Sequence, residues 1–221
     1  MTTLAQRYSK LKSELGATEL LAVSKYSGVK EIAELYDLGH LSFGENRVEQ
    51  CLERALACRD LGLHKIEWHF IGNIQTNKLN KLLTIPNLVA IHSIDRLELL
   101  MKLYQRGDQL AAPLDFFLQV KTSDEEEKQG FETLQELNEA FQYCRDSSHS
   151  KLRLVGLMTM AKIRTENYER DARASFKKLK DFRDQLDPNL KLSMGMSGDY
   201  KWALEYDTSI VRVGSYLFEG A

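Results

Sequence analysis

Leu20-Leu21-Ala22-Val23-Ser24-Lys25-Tyr26 runs through Ser27-Gly28 directly into the helical pattern Val29–Leu38. An apolar run of β-formers, a small-residue turn and an amphipathic stretch make one strand-then-helix unit, and the chain repeats it. Further strands are expected at Leu41–Glu45, Ile66–Gly72, Leu88–Ile94, Leu114–Thr122, Leu152–Met160, Leu190–Ser197 and Ile210–Phe218. Helical patterns fall between them at Arg47–Arg59, Thr76–Leu83, Asp95–Arg106, Leu134–Arg145, Asn167–Gln185 and Asp199–Tyr206. Ser93-Ile94-Asp95 and Ser197-Gly198-Asp199 offer capping-type residues at two junctions.

Strict alternation implies parallel strands with helices outside them. Eight such units in 221 residues predict an α/β fold of one kind, a (β/α)8 TIM-type barrel. Only three residues follow the eighth expected strand, too few for an eighth helix. The opening segment Leu4–Leu15, with Leu4, Tyr8, Leu11 and Leu15 on one stripe, is expected to close the ring in its place. No G-x-G-x-x-G follows the first strand, so an open dinucleotide-binding sheet has no support. Without a linker or low-complexity stretch, residues 1–221 are expected to form a single domain. The densest charge run, Asp124-Glu125-Glu126-Glu127-Lys128, fits a solvated loop.

Composition narrows the function classes. The chain is 43% hydrophobic and 28% charged, an ordinary globular balance. A net charge of −2 gives no basic face for nucleic acid. Cys51, Cys58 and Cys144 form no C-x-x-C pair, and Cys51 and Cys58 fit as small packing residues of a reduced compartment. No signal core opens the chain and no run approaches a membrane span, so a cytoplasmic protein is expected.

Lys25 stands at the last inward position of the first expected strand. An amine desolvated there becomes a nucleophile toward aldehydes; a stem packed on the strand with its head in water is the plainer alternative. In a barrel, chemistry gathers at the carboxyl ends of the strands, and phosphate commonly binds after strands seven and eight. Those ends read Met194-Gly195-Met196-Ser197-Gly198-Asp199 and Val211-Arg212-Val213-Gly214-Ser215. Ser197 and Ser215 bring hydroxyls, Gly198 and Gly214 free the backbone, and Arg212 is a strand-interior charge that needs a partner. Together they make a phosphate or anion site. His69 lacks any metal-type spacing to a second histidine or cysteine, so no metal is expected. Gln75, Asn77 and Lys78 fit the start of the next helix, and Met158 and Met160 fit core filling.

Ala22-Val23-Ser24-Lys25, Phe43-Gly44-Glu45-Asn46, Trp68-His69-Phe70-Ile71-Gly72, Gly156-Leu157-Met158-Thr159, Leu192-Ser193-Met194-Gly195-Met196-Ser197 and Val211-Arg212-Val213-Gly214 resemble, in order, the motifs of the YggS/PROSC family of pyridoxal phosphate homeostasis proteins. That family is similar in fold to the barrel domain of alanine racemase. The resemblance implies that Lys25 carries pyridoxal 5′-phosphate as a Schiff base, the internal aldimine. It also implies that Ser197, Gly214 and Ser215 hold the phosphate, that Arg212 lies near the phosphate or the pyridine nitrogen, and that Asn46 lies against the ring.

Three positions depart from the family pattern: Asp207 where glycine is usual, Phe218-Glu219-Gly220 for a closing Phe-Gly, and Lys121 where asparagine is usual. Lys121 would bring a second ammonium toward the mouth. The expected function is a non-enzymatic carrier and buffer of pyridoxal phosphate in vitamin B6 homeostasis, a monomer that hands the cofactor to apo-enzymes. The alternative is a small pyridoxal phosphate-dependent amino-acid racemase. That chemistry needs an acid/base group opposite Lys25; Tyr26, Tyr200 and Tyr216 are the candidates, and alanine racemase brings its own from a further domain. A third reading is a barrel that binds some other phosphate ligand without a covalent bond.

Overall fold

The structure is a computed structural model that describes residues 2–125, 128–162 and 165–218. Its eight strands are β1 (Glu19–Val23), β2 (Ser42–Glu45), β3 (Glu67–Phe70), β4 (Leu88–Ile94), β5 (Leu114–Gln119), β6 (Leu152–Met158), β7 (Lys191–Met196) and β8 (Ile210–Val213). They pair in sequence order, all parallel, and β8 returns to β1 in the register Leu21 to Arg212, so the barrel is closed. The helices are α1 (Leu4–Leu15), α2 (Val29–Asp37), α3 (Val48–Asp60), α4 (Leu79–Leu82), α5 (Leu97–Gln105), α6 (Leu134–Asp146), α7 (Tyr168–Leu186), α8 (Tyr200–Ala203) and α9 (Ser215–Phe218).

Strand ends are where the expectation and the structure part. Most strands stop one to five residues early, because the apolar pattern runs on through residues that turn out of the sheet to line the barrel mouth. β8 ends at Val213 instead of Phe218, and the remainder winds into α9. A short eighth helix therefore does exist, and α1 packs beside it, with Arg7 Nε donating to the Leu217 carbonyl at 2.7 Å. Neither expected capping triplet caps with a side chain. Ser93 donates instead to the Gly72 carbonyl, and α5 begins after Arg96. Side-chain caps are made by Thr3, Thr133 and Asn167. The charge run after β5 is not wholly solvated: the Lys128 side chain is mostly buried, and its Nζ donates to the Met160 and Ala161 carbonyls. Glu126 and Glu127, and the departure at Glu219-Gly220, lie outside the described residues.

Two cores hold the fold. The larger lies between strands and helices and takes Trp68, Phe43, Phe70, Phe116 and Phe176 with the leucine stripes of α1, α2 and α5. Cys51 and Cys58 are buried in it, and burial pushes both thiols up, Cys58 to about 11. The smaller core fills the barrel itself: Leu21, Phe117, Met158 and Ile210. Burying such side chains stabilises by about 1.5–3 kcal/mol each. No described helix is long and apolar enough to cross a membrane.

Two glycines shape the mouth. Gly195 has φ +94°, and a Cβ there would lie 2.8 Å from the Ala203 Cβ; it stands where the β7–β8 register shifts between Ser193 and Met196. A Cβ on Gly72 would come within 2.0 Å of the Asn46 carbonyl oxygen, so the end of β3 presses the backbone of Asn46 into place. At Asp207 the backbone is left-handed, φ +58°, which explains why glycine suits that position. The carboxylate is held by Lys180 at 3.0 Å and Arg183 at 3.3 Å.

His40 supplies a pH dependence. It is buried between Tyr8 and Phe43 with Nε2 donating to the Ser42 carbonyl at 2.8 Å, and burial lowers its pKa to about 4. The unfolded imidazole, near the usual value of about 6.5, takes up its proton first. Its contribution is therefore intact above that pH and is lost as pH falls toward 4, by at most about 3 kcal/mol. His40→Gln keeps a donor for Ser42 and removes the titration. The stability gap between wild type and this variant in urea unfolding should narrow by up to that amount from pH 7 to pH 4; a gap independent of pH contradicts the assignment.

Candidate functional site

Lys25, Asn46, Ser197, Arg212, Gly214 and Ser215 come from four separate strand ends and line one cavity of about 390 Å³ at the carboxyl mouth of the barrel. Val23, Ile71, Met160 and Phe218 make its apolar walls, and Tyr26, Tyr168, Met196 and Gly198 complete it. The size lies in the range of small-molecule sites. Among the described residues two basic side chains line it and no carboxylate does, so the site suits an anionic ligand.

Lys25 differs from expectation in one respect. β1 ends at Val23 and not at Tyr26, so Lys25 is the first residue of the following turn, half-buried, and not the last inward position of the strand. Its Nζ lies 4.9 Å from the centroid of the Tyr26 ring, which is itself 77% exposed at the rim. Lys25 thus lines the cavity with its amine on the side of the exposed rim.

Arg212 forms the floor. It shares the inner face of β8 with Ile210, is 3% exposed, and donates through Nη1 to Ser193 Oγ at 2.8 Å and through Nη2 to the Thr159 carbonyl at 2.6 Å. Burial lowers its pKa to about 10 and the charge of Asp199 opposes that, so it is cationic at neutral pH. Two of its five N–H groups are committed to the protein. Behind it a polar chain crosses the barrel: Ser193 Oγ to His92 Nδ1 at 2.9 Å, and His92 Nε2 to His69 Nδ1 at 3.0 Å. His92 stacks on Phe117 with centroids 4.3 Å apart, and burial lowers the pKa of both histidines, His69 to about 4. His69 is therefore an interior hydrogen-bonding residue, and among the described residues no group of three potential metal ligands forms.

The wall beside the floor carries a hydroxyl and backbone amides. Ser197 Oγ accepts from the amides of Gly214 and Tyr216, both at 3.3 Å, at the start of α9. A hydroxyl that accepts twice keeps its own proton to donate. A Cβ on Gly214 would meet the Val23 carbonyl oxygen at 2.9 Å, so glycine lets β1 and β8 close up beside Lys25.

Other expected groups lie elsewhere. Lys121 pairs with Glu132 at 2.8 Å and does not line the cavity. Tyr200 donates to Glu14 at 2.6 Å, tying α8 to α1, and Tyr216 is not a lining residue. Met158 is core, whereas Met160 lines the cavity. Asn77 and Lys78 do begin a helical turn, as a 3-10 segment running into α4. Sequence reasoning missed Tyr168, which lines the cavity and donates to buried Asp199 at 2.8 Å. Its place just inside the Asn167 cap, at the carboxyl side of the barrel, was the available signal.

A closed (β/α)8 barrel with an accessible lysine, a buried arginine and an amide-rich wall around one mouth defines a class of small-molecule-binding barrel. The family model described as the alanine racemase N-terminal domain matches residues 1–221. A pyridoxal phosphate homeostasis protein of Aquifex aeolicus is 37% identical over 99% of this chain and 95% of its own. One from Schizosaccharomyces pombe is 35% identical over 90% of this chain and 82% of its own. The structure of PipY from Synechococcus elongatus with pyridoxal phosphate bound superposes with a TM-score of 0.84 at 29% identity, over 98% of this chain and all of that one. The chain belongs to the alanine racemase N-terminal domain family and, within it, to the pyridoxal phosphate homeostasis proteins.

Proposed function

We propose that this chain binds pyridoxal 5′-phosphate in the mouth cavity and serves as a non-enzymatic carrier and buffer of that cofactor, handing it to apo-enzymes. The observation that carries the reading is the convergence of Lys25, Arg212 and the Ser197–Ser215 wall on one cavity that no carboxylate lines among the described residues. The family membership and the pyridoxal phosphate in the related PipY structure support the choice of ligand. When bound, the cofactor supplies an aldehyde that an amine can capture reversibly. Lys25 is the amine, joined to it as a Schiff base. Ser197, with the backbone of Gly214 and Ser215, holds the phosphate. Arg212 supplies fixed positive charge at the floor, and Asn46 borders the ring.

The carrier reading is favoured over a racemase by the state of the cavity tyrosines. Racemisation needs a second proton-transfer group positioned opposite Lys25. Tyr26 projects to solvent, and the hydroxyl of Tyr168 is committed to Asp199; burial, with that carboxylate, raises its pKa. Added L-alanine should therefore give no D-alanine beyond the level produced by free pyridoxal phosphate, as read by chiral chromatography. D-isomer that rises with protein concentration and vanishes in Lys25→Ala would overturn the non-enzymatic reading.

A further inference from the structure

Lys25 sits on a turn, not a strand, so the sheet alone does not fix where its side chain starts. The turn is braced from beneath by a buried ion pair. Glu45, the last residue of β2, is fully buried, and its Oε1 accepts from both Ser24 Oγ and Arg54 Nη1. Arg54 reaches in from α3, and its Nη2 donates to the Ser27 carbonyl at 2.8 Å and the Lys25 carbonyl at 3.4 Å. Ser27 closes the loop by donating to the Ser24 carbonyl, through its amide at 2.9 Å and its hydroxyl at 3.0 Å.

We propose that Arg54 and Glu45 are positioning residues that hold the Lys25 turn for ligand capture, an inference that rests on the proposed role of Lys25. One guanidinium meeting a carboxylate and two carbonyls of the same turn uses the planar fork of arginine, which a lysine cannot reproduce. Buried ion pairs are a poor means of gaining stability, so this one calls for another role. Glu45 also leaves Oε2 without a partner, the only such buried side-chain atom among the described residues.

The test compares Arg54→Met, which keeps bulk and loses the fork, with Arg54→Lys, which retains a charge for Glu45. Leu103→Ala, in the outer core away from the mouth, controls for general destabilisation. In ligand-free protein, amide exchange over residues 25–28 should rise about tenfold or more in Arg54→Met, since the turn loses charge-assisted contacts. Its dissociation constant for pyridoxal phosphate, from the visible absorbance of dialysed samples, should weaken about tenfold or more, with Arg54→Lys between it and wild type. The Leu103→Ala control should bind as wild type does. Unchanged exchange over 25–28, an affinity within about twofold of wild type, or equal weakening in the control would each overturn the proposal. If Arg54→Met does not fold, Arg54→Lys carries the same comparison. If wild type takes up no pyridoxal phosphate, the functional reading fails, and the exchange arm still decides the clamp.

Discussion

Lys25→Ala should abolish the borohydride-reducible chromophore formed with pyridoxal phosphate and leave the fold intact. The reason is a separation of duties within the mouth. The Lys25 side chain packs over exposed Tyr26, while the contact that ties it to the fold is its backbone carbonyl, which accepts from Arg54 and survives the substitution. The stability change should therefore stay within about 0.5 kcal/mol, as for an ordinary surface site. Arg212 and the Ser197 wall come from other strands and keep some ligand without a covalent bond. Absorbance after loading, before and after borohydride, checks this. Retention of a reducible chromophore would move the amine elsewhere, and Lys121 is a poor substitute because Glu132 holds it outside the cavity.

Arg212→Ala should weaken retention of pyridoxal phosphate by about 1.5–3 kcal/mol, the worth of a hydrogen bond to a charged group, or roughly tenfold to a hundredfold. It should also cost stability, because Ser193 Oγ and the Thr159 carbonyl are left in the barrel without their donor. An unsatisfied buried group costs about 1–3 kcal/mol. Ser197→Ala should cost less affinity. Removing its hydroxyl releases the Gly214 and Tyr216 amides, which then face the anion themselves. Equilibrium dialysis of the two variants gives the ranking directly, and equal or reversed losses would mean that the anion sits away from this wall.

Part of the mouth was legible in the sequence, where a residue type combines with a position at or near a strand end. Ser197, Arg212, Gly214 and Ser215 read as an anion site from chemistry alone, and all of them line the cavity. Asn46 entered only through family resemblance, since nothing in Phe43-Gly44-Glu45-Asn46 by itself points to a ligand. Strand termini were less legible. The inward-facing pattern does not change where hydrogen bonding stops, so Lys25 read as strand although it begins a turn. The partner of Arg212 was beyond reach for a different reason. A barrel brings Thr159 to it from just past the end of β6 and Ser193 from β7, and no local periodicity encodes that meeting. Tyr168 was hidden in the same way, by a contact with Asp199 on a later element, whereas the Glu45–Arg54 pair joins neighbouring elements, β2 and α3, and nothing in the residue pattern shows that the arginine turns inward.

The identity of the covalent residue is open to one decisive measurement. Wild-type protein is loaded with pyridoxal phosphate, freed of excess, reduced with borohydride, digested and mapped by mass spectrometry. A single phosphopyridoxyl adduct on the peptide containing Lys25, near one equivalent per chain, is the expected result. An adduct confined to another lysine, or none above the level that surface lysines give at random, would contradict Lys25 as the capturing amine.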